Sequence, residues 1–354
     1  MDFRPSEYLR LIDANANRAR EGIRTAEDYI RYELAVSHRA AELKKIRASI
    51  TMCMQRHFTD QELLASRNAV SDPARPTPTQ SGDASKLQSL ERPLSVAQRG
   101  LKRGQEALRV LEEYLRAEHP DTSVQLSAHR YALYDIEQWL ISNGDALSVI
   151  KDALVYVLLT ERFCRSGLLE TAKSVLRGGC KLLQIREKEQ SDAELLTRAS
   201  DLLILCKEYN AVLICNDRVD LAMAANVAGV HVGQDDLSPA TVRSIAGQRL
   251  LIGRSTHSVE QAVKAVEVEC ADYIGIGSIY DTSTKTKPIV GGLALAEKIA
   301  ALSLSVPVFA IGGITEERIG ALRPAGVKRI AVSTAVISSA DPETATRRLI
   351  EKMM

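Results

Sequence analysis

The sequence predicts an α/β protein in which a C-terminal (β/α)₈ barrel follows an all-helical N-terminal domain. Three observations lead to this fold class. From about residue 154 onward, short apolar runs rich in β-branched residues alternate with helical stretches eight times. Before residue 143 the apolar residues follow only the helical period. The helical part also repeats itself, at residues 18–31 and 103–116. We therefore expect two domains, at residues 1–146 and 147–354.

Composition narrows the class of protein. The chain has 354 residues, a formal net charge of +1, 45% apolar and 26% charged residues, close to a soluble globular average. The balanced charge argues against a nucleic-acid binder, and no run approaches the ~18 apolar residues of a membrane span. The N-terminus lacks the apolar core of a signal peptide. Six cysteines without a CxxC pair indicate reduced thiols. We expect a cytoplasmic protein that binds small molecules, neither nucleic acid nor membrane; a homodimer is left open.

In the N-terminal half, helices are predicted at residues 9–34, 94–117 and 123–142. The last is expected to stop at Asn143 and Gly144, a pair typical of a helix C-terminus. Three prolines among small polar residues at 71–83 predict an exposed, mobile loop between the first two helices.

The two copies of the repeat in this half carry their charged residues in the same order. Pairs four residues apart, such as Arg24 with Asp28, explain the spacing but contribute only about 0.2–0.5 kcal/mol each. Duplication with pseudo-two-fold packing explains the identical order. Arginines and glutamates on facing helices are also suited to binding a phosphate and a metal, so a structural and a ligand-binding interpretation both stay open. Arg18, Glu21, Arg24, Glu27, Tyr29 and Arg31 correspond to Arg103, Glu106, Arg109, Glu112, Tyr114 and Arg116.

The apolar runs of the C-terminal half are typical of strands buried on both faces of a parallel sheet. Their number and the length of the segment match a small (β/α)₈ barrel, with a doubly wound open sheet as the alternative. The predicted strands are residues 154–159, 181–185, 211–215, 229–232, 250–253, 273–277, 306–311 and 329–332.

Polar residues follow the early strands of this pattern. Gln184, Arg186 and Lys188 alternate on one side of the extended chain after the second strand. Asp217 follows the third strand and Asp236 the fourth, and two acids at neighbouring strand ends can share one Mg²⁺. A helix N-cap is the alternative role for a single acid here. Together with the cations, the acids predict a metal–phosphate site.

The later strands end in small residues that suit a second anion. Hydroxyl residues and two lysines follow the sixth strand at 278–287, glycines the seventh at 312–313, and Ser333 the eighth. Such loops form the recurrent phosphate site of barrels. No Ser–His or Cys–His pair stands out, and His231 and His257 are more typical of structural hydrogen bonding. The inventory favours a reaction in which diphosphate leaves and electrostatics dominate catalysis.

Residues 150–345 resemble the thiamine-phosphate synthases, on seven motifs in order: Gln184-x-Arg186-x-Lys188, Asn216-Asp217-Arg218, 229–236 (GVHVGQDD), Gly253-x-Ser255-Thr256-His257, Thr282-x-Thr284-Lys285, 310–314 (AIGGI) and Val332-Ser333. The resemblance implies a (β/α)₈ transferase that joins hydroxymethylpyrimidine diphosphate to thiazole phosphate, or its carboxylated form, with Mg²⁺. Thiazole tautomerases share much of this pattern but lack the pyrimidine-diphosphate residues. They are the alternative.

Site roles follow from the resemblance by position. It implies that Gln184, Arg186, Lys188, Asn216, Ser255 and Lys285 bind the pyrimidine diphosphate, that Asp217 and Asp236 ligate Mg²⁺, and that Thr282, Thr284, Gly313, Val332 and Ser333 hold the thiazole phosphate. The implied mechanism is dissociative and needs no protein nucleophile. The family usually reads Gly-Pro-x-Phe-Pro-Thr where this chain has residues 277–282 (GSIYDT), so the thiazole-side loop departs from the pattern.

The helical half resembles a domain often fused to such synthases and associated with hydroxymethylpyrimidine-phosphate kinase activity. That resemblance implies ATP as a cosubstrate, although the chain has no GxxxxGK[ST] phosphate loop. The alternative is a dimerisation or regulatory module without chemistry. The candidate residues in this domain are Arg18, Arg24, Glu27, Arg103, Arg109 and Glu112.

Overall fold

The computed structural model describes residues 5–67, 92–281 and 291–354. It divides into two compact units, Met1–Ile141 and Ser142–Met354. The proline-rich segment at 71–83 lies outside the described residues. The helices that begin in the first unit are α1 (Pro5–Asp28), followed by a π-helical turn (Tyr29–Glu33), α2 (Ser37–Gln55), α3 (Asp60–Ala65), α4 (Pro93–Leu115) and α5 (Pro120–Asp152).

Helices α1 and α4 pack closely because glycines remove side chains where they cross. A Cβ added to Gly100 would lie 2.6 Å from the carbonyl oxygen of Gly22, and one added to Gly104 would lie 3.0 Å from Ile23. The backbones therefore touch at a crossing that larger residues would force apart. Around it, the helices bury aliphatic side chains, including Ile12, Ile23, Ile30, Leu101, Leu108 and Leu111.

The two copies of the sequence repeat lie mainly on α1 and α4. Glu27, near the end of α1, is buried and accepts a hydrogen bond of 2.7 Å from Nε of Arg47 on α2. Its counterpart Glu112 on α4 is also buried and accepts one of 3.0 Å from Nε of Arg130 on α5. Each copy thus binds its buried glutamate to an arginine of the following helix, as duplication would produce.

Helix α5 corrects one prediction. It does not stop at Asn143 and Gly144 but continues to Asp152. Asn143 is 1% exposed, and its Nδ2 donates a hydrogen bond of 2.7 Å to the carbonyl oxygen of Gln248. This tertiary partner holds the asparagine within the helix, so a local C-cap signal is overridden.

The second unit is a closed barrel of eight parallel strands, each hydrogen-bonded to its neighbours in chain order. This confirms the predicted fold class, and the alternative of an open sheet is wrong. The strands are β1 (Val155–Leu159), β2 (Leu182–Ile185), β3 (Val212–Asn216), β4 (Gly229–Val232), β5 (Leu251–Thr256), β6 (Tyr273–Ile276), β7 (Val308–Ile311) and β8 (Ile330–Val332).

Helices follow the strands around the outside. Side-chain caps fix where four of them begin, at Ser191, Ser238, Ser258 and Asp341. None of the helices in the described ranges is long and apolar enough to cross a membrane. The helices that follow α5 are α6 (Leu168–Arg177), α7 (Asp192–Glu208), α8 (Val219–Ala224), α9 (Pro239–Ala246), α10 (Val259–Glu267), α11 (Gly292–Ala301), α12 (Ile319–Leu322), α13 (Thr334–Ile337) and α14 (Pro342–Met353), with short 3₁₀ turns at Glu161–Phe163 and Glu316–Arg318.

Strand alternation sends side chains to two cores. Val157, Leu183 and Ile274 belong to the apolar layer between sheet and helices. An aromatic cluster is built by Tyr156, Tyr273 and Phe309, whose ring centroids lie 5.4–6.0 Å apart in edge contacts. Two of these three side chains carry hydroxyl groups, which need polar partners inside the barrel.

Candidate active site

Gln184 and the two cations after β2 differ in burial. The side chain of Gln184 is buried, and its Nε2 donates a hydrogen bond of 2.6 Å to the hydroxyl of Tyr156. Arg186 is half-buried and Lys188 exposed. The exposure of these three side chains therefore increases along the chain, from the buried amide of Gln184 to the solvated ammonium of Lys188. Together they offer hydrogen bonding at depth and positive charge at the mouth.

Asn216 and Asp217 form the turn after β3. Asn216 ends the strand, and its Nδ2 donates to Oδ2 of Asp217 across 2.6 Å. Asp217 has a φ of +58°, a conformation that few residues other than glycine, asparagine and aspartate adopt readily. Its backbone N–H donates to the carbonyl oxygen of His231 on β4, at 2.9 Å. Asn216 thus holds the carboxylate of Asp217, and His231 holds its backbone, at the strand end.

Asp217 and Asp236 come together, as the sequence predicts. Burial raises the pKa of Asp217, the nearby carboxyl of Asp236 raises it further, and the charges of Lys188 and Arg186 oppose that shift. Asp236 is exposed, and its Oδ2 accepts a hydrogen bond of 2.7 Å from the N–H of Gly233. It does not cap α9, which begins after Ser238. Two carboxylates so close repel each other, and a divalent cation would relieve that repulsion.

This donor set fits Mg²⁺. Both side chains offer only oxygen, which Mg²⁺ prefers, and Mg²⁺ is usually bound by one or two carboxylates together with water and phosphate oxygens. Within the residues that the structure describes, no third His, Cys, Asp or Glu joins them in a cluster.

Ser255 lies on β5, directly across the register from Gly275 of β6. Its Oγ lies 2.9 Å from Nε2 of His231, and its carbonyl oxygen accepts a hydrogen bond of 2.6 Å from Nε2 of Gln234. Nδ1 of His257 contacts the carbonyl oxygen of Gly277.

Three of the predicted thiazole-phosphate residues, Gly313, Val332 and Ser333, lie at the ends of β7 and β8. Gly313 has a φ of +58°, and a Cβ there would lie 3.0 Å from Tyr280 and from Arg318, so the position is restricted to glycine. Val332 ends β8 and is buried. Ser333 precedes α13, and its hydroxyl donates to the carbonyl oxygen of Leu158 at 2.9 Å. The predicted residues Thr282, Thr284 and Lys285 lie outside the described residues.

The candidate residues of the helical unit differ in burial. Glu27 and Glu112 are buried, whereas the four arginines are exposed: Arg18, Arg24, Arg103 and Arg109. Arg24 pairs with Asp28 at 2.9 Å. Arg109 pairs with both Glu112 and Glu113, at 2.9 and 2.5 Å.

A cavity of about 500 Å³ lies beside Glu112 in this unit. It is open to solvent, and its accessible lining is mostly apolar. Arg116 is the cation at its border that could contact a phosphorylated ligand. The residues that line it are Glu112, Arg116, Pro120, Ser123, Val124, Ser127, Ala128 and Tyr131.

Sequence reasoning missed two groups in the barrel. Tyr156 and Tyr273 hydrogen-bond within its interior; the available signal was a tyrosine inside a buried apolar strand, which must find a polar partner. Glu187 follows β2, and burial raises its pKa to about 7. Its Oε1 accepts a hydrogen bond of 2.6 Å from the N–H of Glu161. Nothing in the local pattern distinguishes this glutamate from a solvated one.

Comparison with known proteins decides the family. A model described as thiamine monophosphate synthase matches residues 155–336, just over half of the chain. This chain belongs to the thiamine-phosphate synthase family. The resemblance inferred from the seven motifs is confirmed. A second model, the ThiD2 family, matches residues 10–139 and supports a fused kinase-like domain.

Two relatives named thiamine-phosphate synthase match this chain over almost its whole length. The thiamine-phosphate synthase of Synechocystis sp. is 36% identical over 349 residues, which cover 99% of this chain and 97% of that protein. That of Prochlorococcus marinus is 37% identical, covering 100% and 99%. Among solved structures, the thiamine phosphate pyrophosphorylase of Pyrococcus furiosus is 32% identical with a TM-score of 0.53, and covers 58% of this chain and 97% of its own.

Proposed function

We propose that the barrel joins hydroxymethylpyrimidine diphosphate to thiazole phosphate, giving thiamine phosphate and diphosphate. The observation that carries this proposal is the site at the ends of β2–β4: two adjacent carboxylates, Asp217 and Asp236, with Arg186 and Lys188 near enough to affect the pKa of Asp217. The charges suit a metal-bound diphosphate, and the chain belongs to a family of transferases.

The diphosphate is the leaving group of the proposed reaction. Asp217 and Asp236 would hold Mg²⁺, which when bound neutralises charge on the phosphate oxygens. Arg186 and Lys188 would bind the remaining oxygens, with Lys285 and Asn216 completing the set. Because these charges are fixed in place before the C–O bond breaks, they favour the state in which diphosphate carries the most negative charge.

The thiazole supplies the nucleophile of this reaction. As the C–O bond breaks, the pyrimidine methyl carbon becomes cationic, and the thiazole nitrogen captures it by forming a C–N bond. Gly313, Val332 and Ser333, with Thr282 and Thr284, would hold the thiazole phosphate so that the nitrogen faces this carbon. No proton has to be moved by a protein base in these two steps, so the chemistry needs no protein nucleophile.

A direct assay tests the barrel. Purified protein with Mg²⁺, pyrimidine diphosphate and thiazole phosphate is expected to release thiamine phosphate and diphosphate in equal amounts. A parallel reaction with the carboxylated thiazole phosphate reports which form is used. Conversion of that carboxylated compound into an isomer, without thiamine phosphate in either reaction, would instead identify a tautomerase.

For the helical unit, the proposal is phosphorylation of pyrimidine monophosphate with ATP. The match of residues 10–139 to the ThiD2 family and the cavity beside Glu112 support it. This step would make the substrate of the barrel, so one chain would carry two consecutive reactions. The alternative is a dimerisation or regulatory module.

The two substrates separate these possibilities. Thiamine phosphate formed from monophosphate, ATP and thiazole phosphate supports the kinase, and formation only from the diphosphate supports the alternative. Arg109→Ala is expected to slow only the reaction that begins with monophosphate. Arg347→Ala, which removes another exposed pair between residues four apart, serves as the control. Equal slowing of both reactions by Arg109→Ala would contradict the division of labour.

A further inference from the structure

Five polar side chains form a continuous hydrogen-bonded chain across the inside of the barrel, here called the relay. Gln184 donates to the hydroxyl of Tyr156 at 2.6 Å, and that hydroxyl lies 3.2 Å from the hydroxyl of Tyr273. The Tyr273 hydroxyl lies 3.3 Å from Nδ1 of His231, whose Nε2 lies 2.9 Å from Oγ of Ser255. The relay therefore joins two residues predicted to bind the pyrimidine.

Burial of the two tyrosines determines the direction in which the hydrogen bonds of the relay are donated. Tyr156 and Tyr273 are 2% and 0% exposed, and burial raises the pKa of both hydroxyls, so they stay protonated. Each hydroxyl has one hydrogen to donate, and a buried donor left without an acceptor is destabilising. Because Tyr156 already accepts from Gln184, its hydrogen points to Tyr273. The hydrogen of Tyr273 then points to Nδ1 of His231.

The two ends of the relay become one acceptor and one donor. With Nδ1 accepting, a neutral His231 carries its hydrogen on Nε2 and donates to Ser255. The Ser255 hydroxyl then keeps its own hydrogen for a further partner. At the other end, Oε1 of Gln184 is buried and has no hydrogen-bond partner among the described residues. A buried carbonyl oxygen of this kind calls for an N–H donor from a ligand.

We propose that Tyr156, Tyr273 and His231 are positioning residues that set this polarity, so that Gln184 accepts from the exocyclic amino group of the pyrimidine and Ser255 donates to an acceptor atom of the same substrate. The proposal rests on the synthase function argued above. An aminopyrimidine presents an N–H donor beside a ring-nitrogen acceptor, whereas the corresponding oxo compound presents the reverse pattern. The relay would therefore select the amino form.

The packing around the relay supports a positioning role. His231, Gly253 and Tyr273 lie in one register row across β4, β5 and β6. A Cβ at Gly253 would collide with both the His231 and the Tyr273 rings. The absence of a side chain at Gly253 therefore lets the two rings meet. Phe309 packs on both tyrosines without any polar atom, and it provides a matched control.

The test compares binding of two ligands, the aminopyrimidine diphosphate and its oxo analogue, by calorimetry with Mg²⁺ present. We expect wild type to bind the amino compound at least about 100-fold more tightly, since a site built for one hydrogen-bonding pattern leaves buried groups unpaired with the other. Tyr273→Phe is expected to lower this ratio at least tenfold, and so is Tyr156→Phe, which also serves if the first variant does not fold. Phe309→Leu is expected to leave the ratio unchanged while perturbing the same aromatic cluster.

An unchanged ratio in a folded tyrosine variant would overturn the relay, as would equal binding of both ligands by wild type or an equal fall in Phe309→Leu. Turnover of the wild type is measured in parallel with thiazole phosphate. A ratio that depends on the tyrosines without any thiamine phosphate formed would support the relay and contradict the synthase function. Formation of thiamine phosphate together with a binding ratio that does not change in the tyrosine variants would support the synthase function and contradict the relay.

Discussion

The Nε and Nη2 atoms of Arg130 both lie 3.0 Å from Oε2 of Glu112. Both side chains are buried, at 8% and 6% exposure. The repeat places Glu27 and Arg47 in a similar relation, with 2.7 Å between Nε and Oε2. A charge pair of this kind does little for stability compared with an apolar pair, but removing one partner leaves the other charge buried and is costly.

Arg130→Met is therefore expected to lower the free energy of unfolding by about 1–3 kcal/mol, less than the usual cost of breaking a buried ion pair, because Glu112 keeps its contacts with Arg109 and Arg116. Urea denaturation measures this change. Arg24→Met is the control, because Arg24 and Asp28 form an exposed pair for which about 0.5 kcal/mol or less is expected. Similar losses in the two variants would show that the Glu112 pair has no special role.

Asp217→Asn is expected to lower synthase turnover by about 100-fold or more, since it removes a charged metal ligand. Asparagine is chosen because it tolerates the positive φ at this position, so the fold should be kept, as circular dichroism would check. Asp220→Asn removes an exposed acid three residues away that pairs with Arg218, and should leave turnover nearly unchanged. Near-normal activity of Asp217→Asn at saturating Mg²⁺ would refute the metal-ligand role.

Gly100→Ala tests the crossing of α1 and α4. The new Cβ would meet the backbone oxygen of Gly22, which cannot move as a side-chain tip can, so we expect a loss of about 1–3 kcal/mol. Gly320→Ala adds the same methyl group to α12, where no atom lies within 4 Å, and should change stability by less than about 0.5 kcal/mol. Thermal and urea denaturation compare the two. A neutral Gly100→Ala would mean that the crossing can separate at no cost.

The eight barrel strands were predictable because a strand buried on both faces must be apolar along its whole length. All eight predicted runs overlap an observed strand, and Asp217 and Asp236 meet because parallel strands end at one edge. The relay was not predictable, since it depends on the register that aligns His231 with Tyr273 across Gly253. The continuation of α5 past Gly144 depends on a contact 105 residues away in sequence.

Glu187 gives a pH dependence whose sign is determined by its pKa. Burial raises that pKa from 4.5 to about 7, so between these values the folded chain holds a proton that the unfolded chain has lost. This contribution to stability is present below pH 4.5 and is lost as the pH rises to about 7. Glu187→Gln should therefore gain stability relative to wild type as the pH rises from 4.5 to 8, measured as the difference in urea midpoints.

Glu194 serves as a control for that experiment, because the opposite pH dependence is expected for it. Its hydrogen bonds with Ser191 lower the pKa of its carboxyl, so its contribution is present above the unfolded pKa and is lost as the pH falls. Glu194→Gln should lose stability relative to wild type as the pH rises. The same trend in both variants would contradict the burial of the Glu187 carboxyl.

Synthase turnover by the purified chain is the most direct test of the central claim, that the strand ends of the barrel bind a diphosphate leaving group through Mg²⁺. The protein is given pyrimidine diphosphate and thiazole phosphate without ATP, with and without Mg²⁺, and thiamine phosphate is measured. The account predicts product only with Mg²⁺, and its loss in Asp217→Asn but not in Asp220→Asn. No product with Mg²⁺, or undiminished product after the metal is chelated, would contradict it.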